Sequence, residues 1–136
     1  MQPSTSIRGV HHVGLTVPDL AAARRFFVEA LGYQACGEKP EYPAAFVSDG
    51  KTLVSLWQVK DLARTVAFDR AQNVGLHHLA LAVDGHAALD ALHTRIAQRG
   101  DAEIEFAPAP LGGGPSRHMM LRIGGGLRIE LIAAGA

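Results

Sequence analysis

Residues 9–17, GVHHVGLTV, return at 75–83 as GLHHLALAV, with Gly, His, His, Leu and Val recurring at an offset of 66. A chain that repeats itself at this distance folds as tandem copies of one supersecondary unit. A second pair of segments, AFVSDGKTLVSL at 45–56 and MLRIGGGLRIEL at 120–131, aligns at an offset of 75. The second copy therefore carries nine extra residues, and the loop-forming stretch PAPLGGGP at 108–115 is where they are expected.

Each copy changes periodicity in the same order. Val13, Leu15 and Val17 alternate with His12, Gly14 and Thr16, the period of a half-buried strand. Asp19 then caps a helix reaching about Leu31, with Leu20, Ala23, Phe27 and Leu31 on one stripe and Gly32 as its stop. The strands AAFVS and TLVSLWQV flank Asp49 and Gly50, a strong hairpin signal. In the second copy a strand over 77–83 precedes a helix with Leu89, Leu92 and Ile96 in register, ended by Gly100, and the last hairpin turns at Gly124 and Gly125. The reading is one domain over 1–136: module 1 at about 7–59, a linker at about 60–74 and module 2 at about 75–133. With 48% hydrophobic residues in 136, one ordinary core is within reach.

Charge narrows the partners. Thirteen basic residues balance 13 acidic ones without a Lys or Arg run, so nucleic acid is not expected. The amino terminus lacks an apolar signal region, and nowhere do roughly 18 apolar residues follow one another, so membrane insertion is not expected either. The single cysteine, Cys36, has no CxxC partner and reads as a buried small hydrophobe in a reducing compartment, which makes a cytoplasmic location the expectation.

Strand alternation sorts the candidate chemistry. His12 shares a face with Gly14 and Thr16, and its repeat mate His78 shares one with Ala80 and Ala82. One ligating side chain among small neighbours is what a strand lining a cavity needs. In the last strand Glu130 stands where the first copy has Ser55. Two histidines and one carboxylate, His12, His78 and Glu130, form the facial set that holds Fe, Mn, Zn, Ni or Co with coordination positions left open. Capture needs unprotonated imidazoles, so affinity is expected to fall as pH drops through the ordinary histidine range.

The segments HVGLTVPDL at 12–20, RFFVEALG at 25–32, HLALAVD at 78–84 and GGLRIELI at 125–132 give the chain a resemblance to the vicinal oxygen chelate superfamily. That group includes glyoxalase I, fosfomycin resistance enzymes, extradiol dioxygenases and bleomycin resistance proteins. The resemblance implies an α+β fold: two tandem βαβββ modules forming a curved open sheet around a metal cavity, with the helices outside. It implies ligand positions at His12, Ser55, His78 and Glu130, and a homodimer in which the first module of one subunit faces the second of the other. Glyoxalase-like enzymes carry a glutamate where this chain has Ser55. Serine can neither ligate nor move a proton comparably, which favours the dioxygenase and fosfomycin resistance branches.

Pairing across assumed two-residue turns extends the list. A turn centred on Asp49 and Gly50 sets Tyr42, Ala44 and Phe46 beside Trp57, Ser55 and Leu53. A turn at Gly124 and Gly125 sets Arg117, Met119 and Leu121 beside Ile132, Glu130 and Arg128. Ser55, Trp57, Phe46, Arg117, Met119 and Arg128 are thus the expected substrate-binding residues. Glu130 with Tyr42 and His118 are the expected acid or base groups, while His11 and His77 point to the other face. The function expected is a divalent-metal-dependent dioxygenase, lyase or isomerase that chelates a small oxygenated substrate, aromatic ones included, and stabilises an oxyanionic intermediate. The rival is a metal-free protein of the bleomycin resistance kind that sequesters a small molecule.

Overall fold

The computed structural model describes residues 3–135. The chain divides after Lys60 into two compact units. Each is a four-stranded sheet with helix on one face, and the strand orders are the same in both. In the first unit β1 (His12–Val17), β2 (Gln34–Lys39), β3 (Ala44–Ser48) and β4 (Leu53–Gln58) lie in the order β1-β4-β3-β2. In the second, β5 (Leu79–Val83), β6 (Glu103–Pro110), β7 (Arg117–Ile123) and β8 (Leu127–Ala133) lie in the order β5-β8-β7-β6. The first and last strands of each unit run parallel and the other pairs antiparallel. The α+β class and the two βαβββ modules read from the repeats are the fold.

The helices arise where the caps put them. Asp19 accepts from the Ala22 amide at 3.0 Å and starts α1 (Leu20–Arg25), which runs on as a π turn over Phe26–Ala30 before Gly32, at φ 79°, ends it. That helical face buries Ala23, Phe26, Phe27 and Ala30 against Leu15, Val17, Val54 and Leu56 of the sheet. In the second unit α2 (His86–Ala97) buries Leu89 and Ile96, and the sheet contributes Met119, Leu121, Ile129 and Leu131 to that core. The opposite face of each sheet carries the chemistry.

Registers decide which residues reach that face. The first hairpin pairs Ala44 with Trp57 and Phe46 with Ser55. Its partners are thus displaced by two from those of the two-residue turn, because 49–52 form a longer loop in which Asp49 accepts from the Thr52 amide at 2.7 Å. A displacement of two keeps every side chain on its face. The second hairpin pairs Met120 with Glu130, His118 with Ile132 and Ile123 with Leu127. Here the expected register is wrong by one, since the turn is the three-residue segment Gly124–Gly126 and not Gly124 and Gly125 alone. A displacement of one inverts the strand. Met119, expected beside Glu130, is instead fully buried in the core with Leu121, and Arg117 shares their side while His118 turns to Glu130.

The nine extra residues are also not gathered at 108–115. They are spread over a longer helix, a longer α2–β6 connection at 98–102, longer β6 and β7, and a loop at 111–116 longer than its counterpart at 40–43. The inter-module stretch holds one short 3-10 turn, Leu62–Arg64, and then passes over the triglycine turn, where the Phe68 amide donates to Gly125 O at 2.8 Å. A Cβ on Gly126, at φ 85°, would lie 2.9 Å from Phe68 O. Gly126→Ala is therefore expected to cost about 2 kcal/mol or more, and Gly112→Ala, also at positive φ but in open space, about 1 kcal/mol. Urea midpoints of the two variants check this; equal losses would show that the Phe68 approach does not matter. No helix among the described residues is long and apolar enough to cross a membrane.

Candidate metal centre

On the open face of the first unit, β1 and β4 set Gly14 opposite Ser55. A Cβ at Gly14 would fall 3.2 Å from Ser55 Oγ and 3.5 Å from Trp57 Nε1, so the glycine leaves room for the two to meet. Trp57 Nε1 donates to Ser55 Oγ at 2.8 Å, and Ser55 Oγ donates to Val13 O at 3.4 Å. Ser55, 2% exposed, is thereby engaged on both sides as a bolt between β1 and the indole. Tyr42 and Phe46 meet Trp57 edge-on at 4.6 and 6.1 Å between ring centres, so the aromatic group expected from the sequence is assembled. The Lys60 ammonium stands 3.3 Å over the Tyr42 ring. His12 is exposed at the start of β1, with its Nδ1 3.0 Å from His11 Nδ1.

The second unit repeats this frame with different chemistry. Ala80 pairs with Glu130 as Gly14 pairs with Ser55, so the carboxylate and the hydroxyl occupy equivalent places. His78 Nε2 lies 3.3 Å from Glu130 Oε1, and His118 Nδ1 lies 2.5 Å from Glu130 Oε2. An ionised carboxylate has only acceptor atoms, so His118 Nδ1 is the donor in that contact. The Phe106 ring stands tilted beside His118 at 4.9 Å. Ala80 and Ala82 keep the neighbouring surface of β5 low, and the His78 side chain is 35% exposed, open to small molecules.

Around this pair sits a charged network that the sequence did not announce. Arg128 is 7% exposed and forks onto Glu105, Nε to Oε1 at 3.0 Å and Nη2 to Oε2 at 3.1 Å. Arg122 and Arg70 approach the same carboxylate at 3.6 and 3.9 Å. These guanidinium groups, the Arg128 hydrogen bonds first, hold the Glu105 carboxyl below its ordinary range. Arg128 also donates from Nη1 to His77 Nδ1 at 3.2 Å, and His77 Nδ1 is 2.8 Å from His78 Nδ1. Partial desolvation and then the Arg128 charge lower the His77 pKa from 6.5. The side chain expected to point away from the centre is thus in contact with His78. Arg117 donates to Pro108 O at 3.2 Å.

Among the described residues no group of three or more His, Cys, Asp and Glu side chains is arranged to hold a metal ion. Of the expected ligands, His78 and Glu130 come together, with His118 on the second oxygen of the carboxylate; His12 belongs to the first unit. The donor types of the pair nevertheless fit a divalent ion. Two adjacent ligands with bonds of about 2.1 Å at a right angle stand about 3.0 Å apart, close to the 3.3 Å between His78 Nε2 and Glu130 Oε1.

A sequence model of the Glyoxalase/Bleomycin resistance protein/Dioxygenase superfamily matches residues 9–131. No curated protein matches the chain. Among solved structures, the glyoxylase/bleomycin resistance protein/dioxygenase domain from Frankia sp. EAN1pec is 25% identical, with 95% of this chain and 93% of that one covered and a TM-score of 0.79. Lactoylglutathione lyase from Agrobacterium tumefaciens is 18% identical, covering 95% and 96%, at a TM-score of 0.70. A mutant of the fosfomycin resistance protein FosX from Listeria monocytogenes, complexed with Mn(II) and 1S,2S-dihydroxypropylphosphonic acid, is 18% identical, covering 96% and 92%, at a TM-score of 0.73. The last two are likenesses of fold.

Proposed function

The chain belongs to the Glyoxalase/Bleomycin resistance protein/Dioxygenase superfamily, and from that premise we propose that it is a divalent-metal-dependent enzyme acting on a small oxygenated molecule. The observation that carries the reading is the approach of His78 Nε2 to Glu130 Oε1 at 3.3 Å, two unlike ligand types on a low, solvent-reachable stretch of sheet. His78 and Glu130 would hold the ion. His118, donating to the far oxygen of Glu130, orients the carboxylate and keeps its near oxygen turned to His78. The bound ion would supply Lewis-acid polarisation of substrate oxygens. Within the first unit, Trp57, Tyr42 and Phe46 give flat apolar surface on which an aromatic ring can stack. The Mn(II) complex of FosX, a protein of like fold, supports the choice of a divalent ion. With serine in place of a second carboxylate at position 55, addition or ring-opening chemistry is favoured over glyoxalase-type proton transfer.

Titration with Mn(II), Fe(II) and Zn(II) tests the reading. The protein is expected to take up one of these ions, and His78→Ala and Glu130→Gln each to weaken it roughly a hundredfold, about 2.7 kcal/mol. His118→Ala, which frees the far oxygen of Glu130, is expected to weaken it about tenfold. An ion bound equally well by all three variants would overturn the assignment. A protein that takes up none of the three yet binds flat aromatic cations would be a sequestering protein.

A further inference from the structure

The two units contain the same histidine pair in two different settings. His11 Nδ1 and His12 Nδ1 are 3.0 Å apart, and His77 Nδ1 and His78 Nδ1 are 2.8 Å apart, with ring centres at 5.2 and 5.1 Å and the rings nearly perpendicular. Two Nδ1 atoms at that distance share one proton: one ring donates and the other accepts. In the first unit nothing on the neighbouring strand decides which, because the residue opposite His12 on β4 is Leu53. In the second unit the equivalent place on β8, one step before the pairing of Leu79 with Ile129, is Arg128.

A guanidinium nitrogen has no lone pair to offer. The contact of Arg128 Nη1 with His77 Nδ1 at 3.2 Å therefore makes His77 Nδ1 the acceptor. The shared proton must then sit on His78 Nδ1. Arg128 is itself held by its fork to Glu105 and by a further donation to His77 O at 3.4 Å, so its direction is set independently of the imidazoles. Once Nδ1 of His78 carries its proton, the electron pair of the neutral ring lies on Nε2, which faces Glu130 Oε1 at 3.3 Å, so that two electron-pair-bearing atoms meet across a gap that a cation would bridge.

We infer that Arg128 and His77 are positioning residues that fix the proton of His78 on Nδ1 and keep the electron pair of its Nε2 free for a cation held jointly with Glu130. The inference rests on the metal reading above for its use, but not for its geometry. Metal-ligating imidazoles as a class donate their second nitrogen to an outer partner, and loss of that partner weakens metal binding by about 10- to 100-fold. Here the outer partner is another imidazole, made an acceptor by an arginine.

The test pairs long-range nitrogen–proton NMR of the histidine rings with zinc titration of the intact protein. In the metal-free protein His78 is expected to show a protonated Nδ1 and His77 an unprotonated Nδ1. In His77→Ala the His78 proton is expected to redistribute to Nε2, and Zn(II) affinity to fall at least about tenfold. His77→Asn, whose amide oxygen can accept from His78, is expected to restore both. His11→Ala, lacking the guanidinium in its setting, is expected to change Zn(II) affinity less than His77→Ala does. An unchanged His78 pattern in His77→Ala overturns the relay whatever the zinc result. A parent protein that shows the pattern and takes up no zinc upholds the relay and counts against the metal reading instead.

Discussion

Glu105→Gln is expected to lower the free energy of unfolding by about 3 kcal/mol at neutral pH. The parent carboxylate accepts two hydrogen bonds from Arg128, which is 7% exposed, and stands within 4 Å of guanidinium nitrogens of Arg122 and Arg70. The amide keeps one acceptor oxygen but presents an NH2 group to one arm of the Arg128 fork, leaving a buried cation without its countercharge. Removing one member of such a pair costs more than the pair contributes, because the survivor has already lost its water. The pH dependence has a definite sign. The folded-state pKa of Glu105 lies below the ordinary 4.5 expected in the unfolded chain. Its contribution is therefore full above 4.5 and is lost as pH falls through the folded value. Urea midpoints of parent and variant should differ most near neutrality and converge in acid. A gap that stayed constant on acidification would mean that the charge of Glu105 is not what the network uses.

The centre lay partly open in the sequence, and what hid the remainder is physical. His78 and Glu130 stand out because each interrupts an apolar strand at a repeat-equivalent place, and period-2 alternation alone puts them on one face. Nothing local marks β2, Gln34–Lys39, since every residue in it is exposed, Cys36 included against the buried place expected of it, and an edge strand without a buried side has no hydrophobic alternation to show. The role of Glu105 is hidden in the sequence for a different reason. Its partners Arg128 and Arg70 are brought to it only by strand pairing and by the passage of the inter-module segment, and ion pairs across such distances leave no periodic trace. Alternation puts His77 on the face opposite its neighbour, yet both imidazoles reach each other through Nδ1 just ahead of β5, whose first paired residue is Leu79. The two hairpins separate the harmless error from the harmful one. A loop at 49–52 displaced partners by two and left Trp57, Ser55 and Phe46 together, whereas one additional glycine in the 124–126 turn exchanged Met119 for His118 on the Glu130 face. The run of three glycines was the available signal, because three turn residues put Gly125 at the centre and reverse the parity of every pair beyond it.

That parity has a consequence large enough to measure. Met119→Ala is expected to cost about 3 kcal/mol, the ordinary result of emptying a fully buried methionine site in a core that collapses only in part. It should leave the ring nitrogens of His118 as they are, since Met119 points to the α2 side of the sheet with Leu121 and Ile129. Met120→Ala removes the side chain paired with Glu130, on the face shared with His118. Its stability cost should be somewhat smaller, since Met120 is 5% exposed and Met119 not at all, but the contact of His118 Nδ1 with Glu130 Oε2 should loosen and the His118 ring signals should move. Urea unfolding and ring-nitrogen NMR on the same two variants separate the effects. If Met119→Ala moved His118 and Met120→Ala carried the larger stability loss, β7 would have to run in the register of a two-residue turn. His118 would then lie in the core and could not reach Glu130.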